Sequence, residues 1–144
     1  MPSFRKGFAL AVSMMFIAFG IVVLTPSVAN ADAQTCLAAP NGTLCTGIYG
    51  NQGWVDAVGT SRMKLNPISG ELFGICDYSA WFFAIHQDGH VESLGVEERR
   101  GCGLGRVWLA KQIHRSFPIG TQMCAKFYEN RWGTLVTEKC VGLS

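Results

Sequence analysis

In CAKFYENRWGTLVTEKC, residues 124 to 140, two cysteines enclose two short runs in which apolar and polar positions alternate. If Cys124 faces Cys140, then Lys126 faces Glu138, Tyr128 faces Val136 and Asn130 faces Thr134. The pattern therefore predicts an antiparallel hairpin closed by the three-residue loop Arg131-Trp132-Gly133. Gly133 falls where such a loop needs a left-handed residue. The Lys126 and Glu138 pair adds a cross-strand attraction of about 0.2–1 kcal/mol.

A second hairpin follows from SAWFFAIHQDGHVESLGV, residues 79 to 96, where Asp88-Gly89 reads as a two-residue turn. Pairing Gln87 with His90 places Trp81, Phe83, Ile85, Leu94 and Val96 on one face, expected to be the core. Phe82, Ala84, His86, Val91, Ser93 and Gly95 take the other. His86 and His90 would share a face on a helix, but in this register they point to opposite sides.

Trp54 to Leu65 and Leu72 to Tyr78 predict two further strands around the turn cluster Asn66-Pro67-Ile68-Ser69-Gly70. Val107 to His114 fits either a strand or one or two helical turns. The fold class that results is all-β: a small sandwich or barrel of about five to seven short antiparallel strands, with one short helical turn as the option at Val107 to His114.

The N-terminus changes which residues belong to this fold. Arg5 and Lys6 precede an uncharged run from Phe8 to Leu24, and Ala29-Asn30-Ala31 is a small-residue exit, so residues 1–31 read as a secretory signal peptide. Residues 32–144 then form a single disulfide-bonded β domain that works outside the cell, with no membrane association after cleavage. Arg5 and Lys6 also account for the whole net charge of +2, leaving ten Lys and Arg against ten Asp and Glu. A balanced surface argues against nucleic acid and anionic lipid as partners, since both select a basic excess.

All six cysteines lie in the exported part, and an even count in a small exported chain reads as a disulfide framework. Pro40-Asn41-Gly42 can turn the chain so that Cys36 meets Cys45. The hairpin joins Cys124 to Cys140, and elimination leaves Cys76 with Cys102.

Candidate chemistry is sparse. The cysteines lack zinc-site spacing, and no metal or cofactor motif stands out. Gly101-Cys102-Gly103-Leu104-Gly105 lacks the strand, helix and lysine of a phosphate loop and reads as a flexible loop around a disulfide. Glu97-Glu98-Arg99-Arg100 reads as a solvated loop or a partner-binding patch. No G-x-S-x-G is present and no thiol is left over, so no catalytic residue can be named.

RSFPIGTQMCAKFYENRWGTLVTEKCVGL, Arg115 to Leu143, together with the signal and the cysteine layout, resembles small secreted proteins of actinobacteria such as streptomycetes. The resemblance implies an exported, disulfide-bonded β protein and brings no catalytic residues with it. Some small exported proteins of these bacteria are adaptors in secreted toxin particles.

The functional expectation is a non-enzymatic extracellular binding or adaptor module whose partner is another extracellular protein or a cell-surface component. Arg131 and Trp132 are its candidate binding residues, because both types are enriched at binding hot spots. Trp132 could equally fold back over Tyr128 or Val136 as a cover. The alternatives are a secreted antibacterial factor or toxin-assembly component, and a small hydrolase in which His86, His90 or His114 meets a carboxylate such as Asp77.

Overall fold

The computed structural model describes residues 33–144, so the expected signal segment lies outside the described residues. Eight strands follow in order: β1 Ala33–Ala39, β2 Gly42–Asn51, β3 Trp54–Lys64, β4 Gly74–Ile85, β5 Val91–Leu104, β6 Arg106–Ser116, β7 Gln122–Glu129 and β8 Thr134–Gly142. They form two antiparallel sheets of order β1-β2-β3-β6 and β5-β4-β7-β8. The all-β sandwich is thus as the sequence predicts, with one strand more than the upper count and no helical turn among the described residues. The Val107 to His114 alternative resolves as strand β6. No helix of the described residues is long and apolar enough to cross a membrane.

One apolar cluster fills the space between the sheets. Leu44, Ile48, Val58 and Leu109 enter it from the first sheet, and Ile75, Phe82, Met123 and Phe127 from the second. In β4 the inward residues are Tyr78, Ala80, Phe82 and Ala84, so the expected core face of this strand is inverted. Both faces of this strand carry apolar residues, so alternation does not choose between them, and a bulge at its start accommodates the face that is used. Asp77, at φ 46°, is skipped in the pairing between Cys76 and Tyr78, which lets Ile75 and Tyr78 both point inward although their numbers differ in parity. Trp81 and Phe83 lie on the outer face, stacked with ring centroids 4.7 Å apart beneath the Lys126 ammonium, yet Phe83 is buried as expected and Leu94 packs against the core. Val96, expected inside, is half-exposed.

The turn at Asp88 and Gly89 also differs from expectation. The His86 N–H donates to His90 O and the Gly89 N–H to His86 O, both at 2.9 Å, so the loop is the three residues Gln87-Asp88-Gly89 with Gly89 left-handed at φ 83°. The extra loop residue shifts the pairing near the turn to Ile85 with Val91. A second bulge at Leu94 restores the expected register, so Trp81 meets Val96 and Ser79 meets Glu98.

The stretch from Glu97 to Leu104, read as loop, continues strand β5 to the edge of its sheet. Its charges occupy an edge strand, where they disfavour pairing with another chain's edge. Gly103 sits in the strand because a Cβ there would meet Val107 Cγ1 at 2.4 Å.

The three disulfides are Cys36–Cys45, Cys76–Cys102 and Cys124–Cys140, and among the described residues no cysteine is free. Each joins two strands of one sheet at directly paired positions, and each cysteine is bonded to its neighbour in sequence.

Candidate functional site

The β7–β8 hairpin keeps the expected register from Cys124 with Cys140 to Phe127 with Thr137, including a 3.3 Å ion pair between Lys126 and Glu138. Beyond that point a bulge skips Val136. Tyr128 then pairs with Leu135 rather than Val136, and Glu129 with Thr134. Val136 turns toward the core instead. The connection becomes four residues, Asn130 to Gly133.

Gly133 is not the left-handed residue of this turn. Positive φ falls on Asn130, Arg131 and Trp132, at 56°, 51° and 69°. The Gly133 N–H donates to Asn130 O at 3.0 Å, so Arg131 and Trp132 are the central residues of a turn with positive φ at both, as a type I′ turn requires. Three consecutive non-glycine residues in this region are costly unless the surroundings hold them. The β4 bulge does so, because Asp77 O accepts the Arg131 N–H at 2.6 Å and Cys76 O the Asn130 N–H at 3.5 Å.

Trp132 therefore has a defined place. Its ring lies against Tyr128, with centroids 4.8 Å apart and planes at 54°, and its Nε1–H donates to Glu98 Oε1. Both contacts belong to a cover, yet 38% of the residue remains exposed. Arg131 beside it is exposed and, among the described residues, has no ion-pair partner.

Trp132 and Arg131 form one wall of a cleft of about 260 Å³, with Arg99 and Arg100 from β5 opposite and Ser79 from β4 also lining it. Arg99 and Arg100 belong to the charged run read as a solvated loop or a partner-binding patch, whereas Ser79 was not singled out from the sequence. The signal was available in the register that pairs Ser79 with Glu98 and Tyr78 with Arg99, but the Glu97 to Arg100 run gave no sign of continuing as strand.

A second cleft, of about 400 Å³, lies at the β4–β5 turn and is lined by His86, His90, Pro118 and Thr121. The three-residue loop brings His86 and His90 across from each other, with ring centroids 5.7 Å apart and planes at 24°, where opposite faces were expected. His86 Nε2 lies 3.0 Å from Glu92 Oε2. A histidine of this cleft thus meets a carboxylate, as the hydrolase alternative called for, although Glu92 itself does not line the cleft. The correspondence stops there, because the Thr121 hydroxyl in the same cleft makes no hydrogen bond to either imidazole. Asp77 lies in the other cleft, its Oδ1 accepting the Gly101 N–H at 2.9 Å, and the exposed His114 Nδ1 is 3.6 Å from Asp56 Oδ1. Among the described residues, the one group with metal-ligand types in mutual reach is Cys124, Glu138 and Cys140. Both sulfurs there are in a disulfide, so it offers a single carboxylate.

The Arg115 guanidinium, hydrogen-bonded to Glu92, holds its carboxyl below the ordinary glutamate range; burial opposes this, and His86 adds to the lowering. A folded-state pKa lowered relative to the unfolded chain contributes stability that is fully present above the unfolded value and lost as pH falls through the folded one. Acid titration of thermal stability should show this loss in the wild type and a flatter profile in Glu92→Gln. Identical profiles would remove Glu92 from the acid response.

No protein-family model, no curated protein and no solved structure matches the chain.

Proposed function

We propose that the protein is a secreted, non-enzymatic binding or adaptor module that meets an extracellular protein or cell-surface component through Arg131 and Trp132. Three disulfides in a small β sandwich support a rigid scaffold suited to an oxidising environment. The observation that carries the reading is the turn itself. Three left-handed non-glycine residues, held by the Asp77 and Cys76 carbonyls, present in a cleft an arginine without an ion-pair partner among the described residues and a partly exposed tryptophan. Strain fixed by the surrounding frame is a mark of binding sites, and it presents the anchor without an ordering cost at the moment of binding.

Partner capture from culture supernatant by the immobilised wild type, Arg131→Ala and Trp132→Ala, with melting curves for each, tests this. Arg131→Ala should lose the partner at an unchanged melting temperature. Trp132→Ala should lose it together with about 0.5–1.5 kcal/mol of stability from the Tyr128 contact. Undiminished capture by both variants, stably folded, would sink the proposal.

A further inference from the structure

The cleft beside Trp132 has a charge balance and an unmet hydrogen bond that together point to a ligand. Arg99, Arg100 and Arg131 line it, and none forms an ion pair among the described residues. The two carboxylates present are engaged: Asp77 accepts from the Gly101 N–H and Glu98 from the Trp132 indole N–H. Three cations against two engaged acids leave the cleft with a formal charge of +1.

Ser79, only 1% exposed, also lines the cleft, and its Oγ has no hydrogen-bond partner among the described residues. A buried hydroxyl without a partner is costly in a folded protein and calls for an explanation. A carboxylate matches both features at once. Its oxygens accept two N–H bonds from a guanidinium fork, and a remaining lone pair accepts the Ser79 O–H.

We infer that this cleft binds an acidic segment of a protein partner, taking a glutamate or aspartate side chain between the three arginines with its carboxylate on the Ser79 hydroxyl and its stem along Trp132. This rests on the reading of Arg131 and Trp132 as the binding turn and adds the chemistry of what they bind. A long polyanion such as nucleic acid or a sulfated glycan fits less well, because the domain's charges are balanced and Asp77 and Glu98 line the cleft with the arginines. The cleft's volume suits one or two side chains rather than a continuous charged rail.

Calorimetric titration of the purified, oxidised protein with hexaglutamate, hexaglutamine, inorganic phosphate and heparin tests the assignment. Hexaglutamate should bind and hexaglutamine should not, with affinity falling about ten-fold or more in Arg99→Gln/Arg131→Gln and weakening as salt is raised. Ser79→Ala should weaken binding several-fold. If that variant misfolds by its melting curve, the exposed arginine variants carry the test alone. The inference fails if hexaglutamate does not bind, if its binding ignores the arginines, or if phosphate or heparin binds as well as hexaglutamate. Loss of partner capture in Trp132→Ala without any hexaglutamate binding would leave the module reading standing and remove the acidic ligand. Arginine-dependent hexaglutamate binding with partner capture indifferent to Trp132 and Arg131 would do the reverse.

Discussion

Reduction of all three disulfides is expected to unfold the protein at 37 °C. The bonds close segments with sequence separations of 9, 26 and 16 residues. In the chain-entropy account each then contributes about 2.5–3.5 kcal/mol by restricting the unfolded chain. Together they approach the about 5–15 kcal/mol that a whole domain retains on folding. Near-ultraviolet circular dichroism before and after complete reduction checks this, and a cooperative melt at an unchanged temperature in the reduced protein would refute it. Among pairwise Cys→Ala variants, loss of Cys76–Cys102 should cost the most and loss of Cys36–Cys45 the least, following the separations.

Replacement of Arg62 by Met is the second large effect. Arg62 is 1% exposed, on β3 between the two sheets. Its Nε meets Glu129 Oε1 of β7 at 3.3 Å, and its terminal nitrogens donate to Met63 O at 2.7 Å and to Pro40 O. Lys64 Nζ holds the other Glu129 oxygen at 2.8 Å. Arg62→Met keeps much of the stem's volume but leaves Glu129 with one cation and removes a donor from the two carbonyls. Breaking a buried pair from one side typically costs about 3–5 kcal/mol. The double variant Arg62→Met/Glu129→Gln should recover part of the loss, because no uncompensated carboxylate remains. Urea unfolding of the single and double variants decides. A cost below about 1 kcal/mol for Arg62→Met would mean that the pair is no more than a surface contact in its energetics.

Arg62 also shows what could be read from the sequence and what could not. Val58, Thr60 and Arg62 share parity on β3, and all three are buried, although the strand reading of Trp54 to Leu65 singled out no inward face. An arginine is normally expected outside, and its partner Glu129 lies on a strand of the opposite sheet, a relation no local pattern contains. Within hairpins the reading went further. Cys124, Lys126, Glu138 and Cys140 fix one register by covalent and charge pairing, and the structure keeps it. It failed where a bulge intervened, at Asp77, Leu94 and Val136, because one unpaired residue reverses the facing of everything beyond it without altering composition.

The candidate site followed the same division. Arg131 and Trp132 stood out by residue type and by their place at a hairpin tip. Arg99 and Arg100 were legible as a partner-binding patch by their charge, but that they share a cleft with Ser79 and Arg131 came into view only once the charged run was seen to be the edge strand beside β4. The two imidazoles needed the turn type, since one added loop residue brought His86 and His90 together.

The consecutive pairing of the cysteines bears on how the chain matures. Six thiols allow 15 pairings, yet here each odd-numbered cysteine is joined to the one that follows it. An oxidant acting on a chain that emerged N-terminus first would meet the thiols two at a time, each pair complete before the next arrived. Oxidation in that order would give the native set directly, without rearrangement. Every bridge is confined within one sheet, so no covalent link ties the two layers, and their docking rests on the apolar cluster and the Arg62–Glu129 pair.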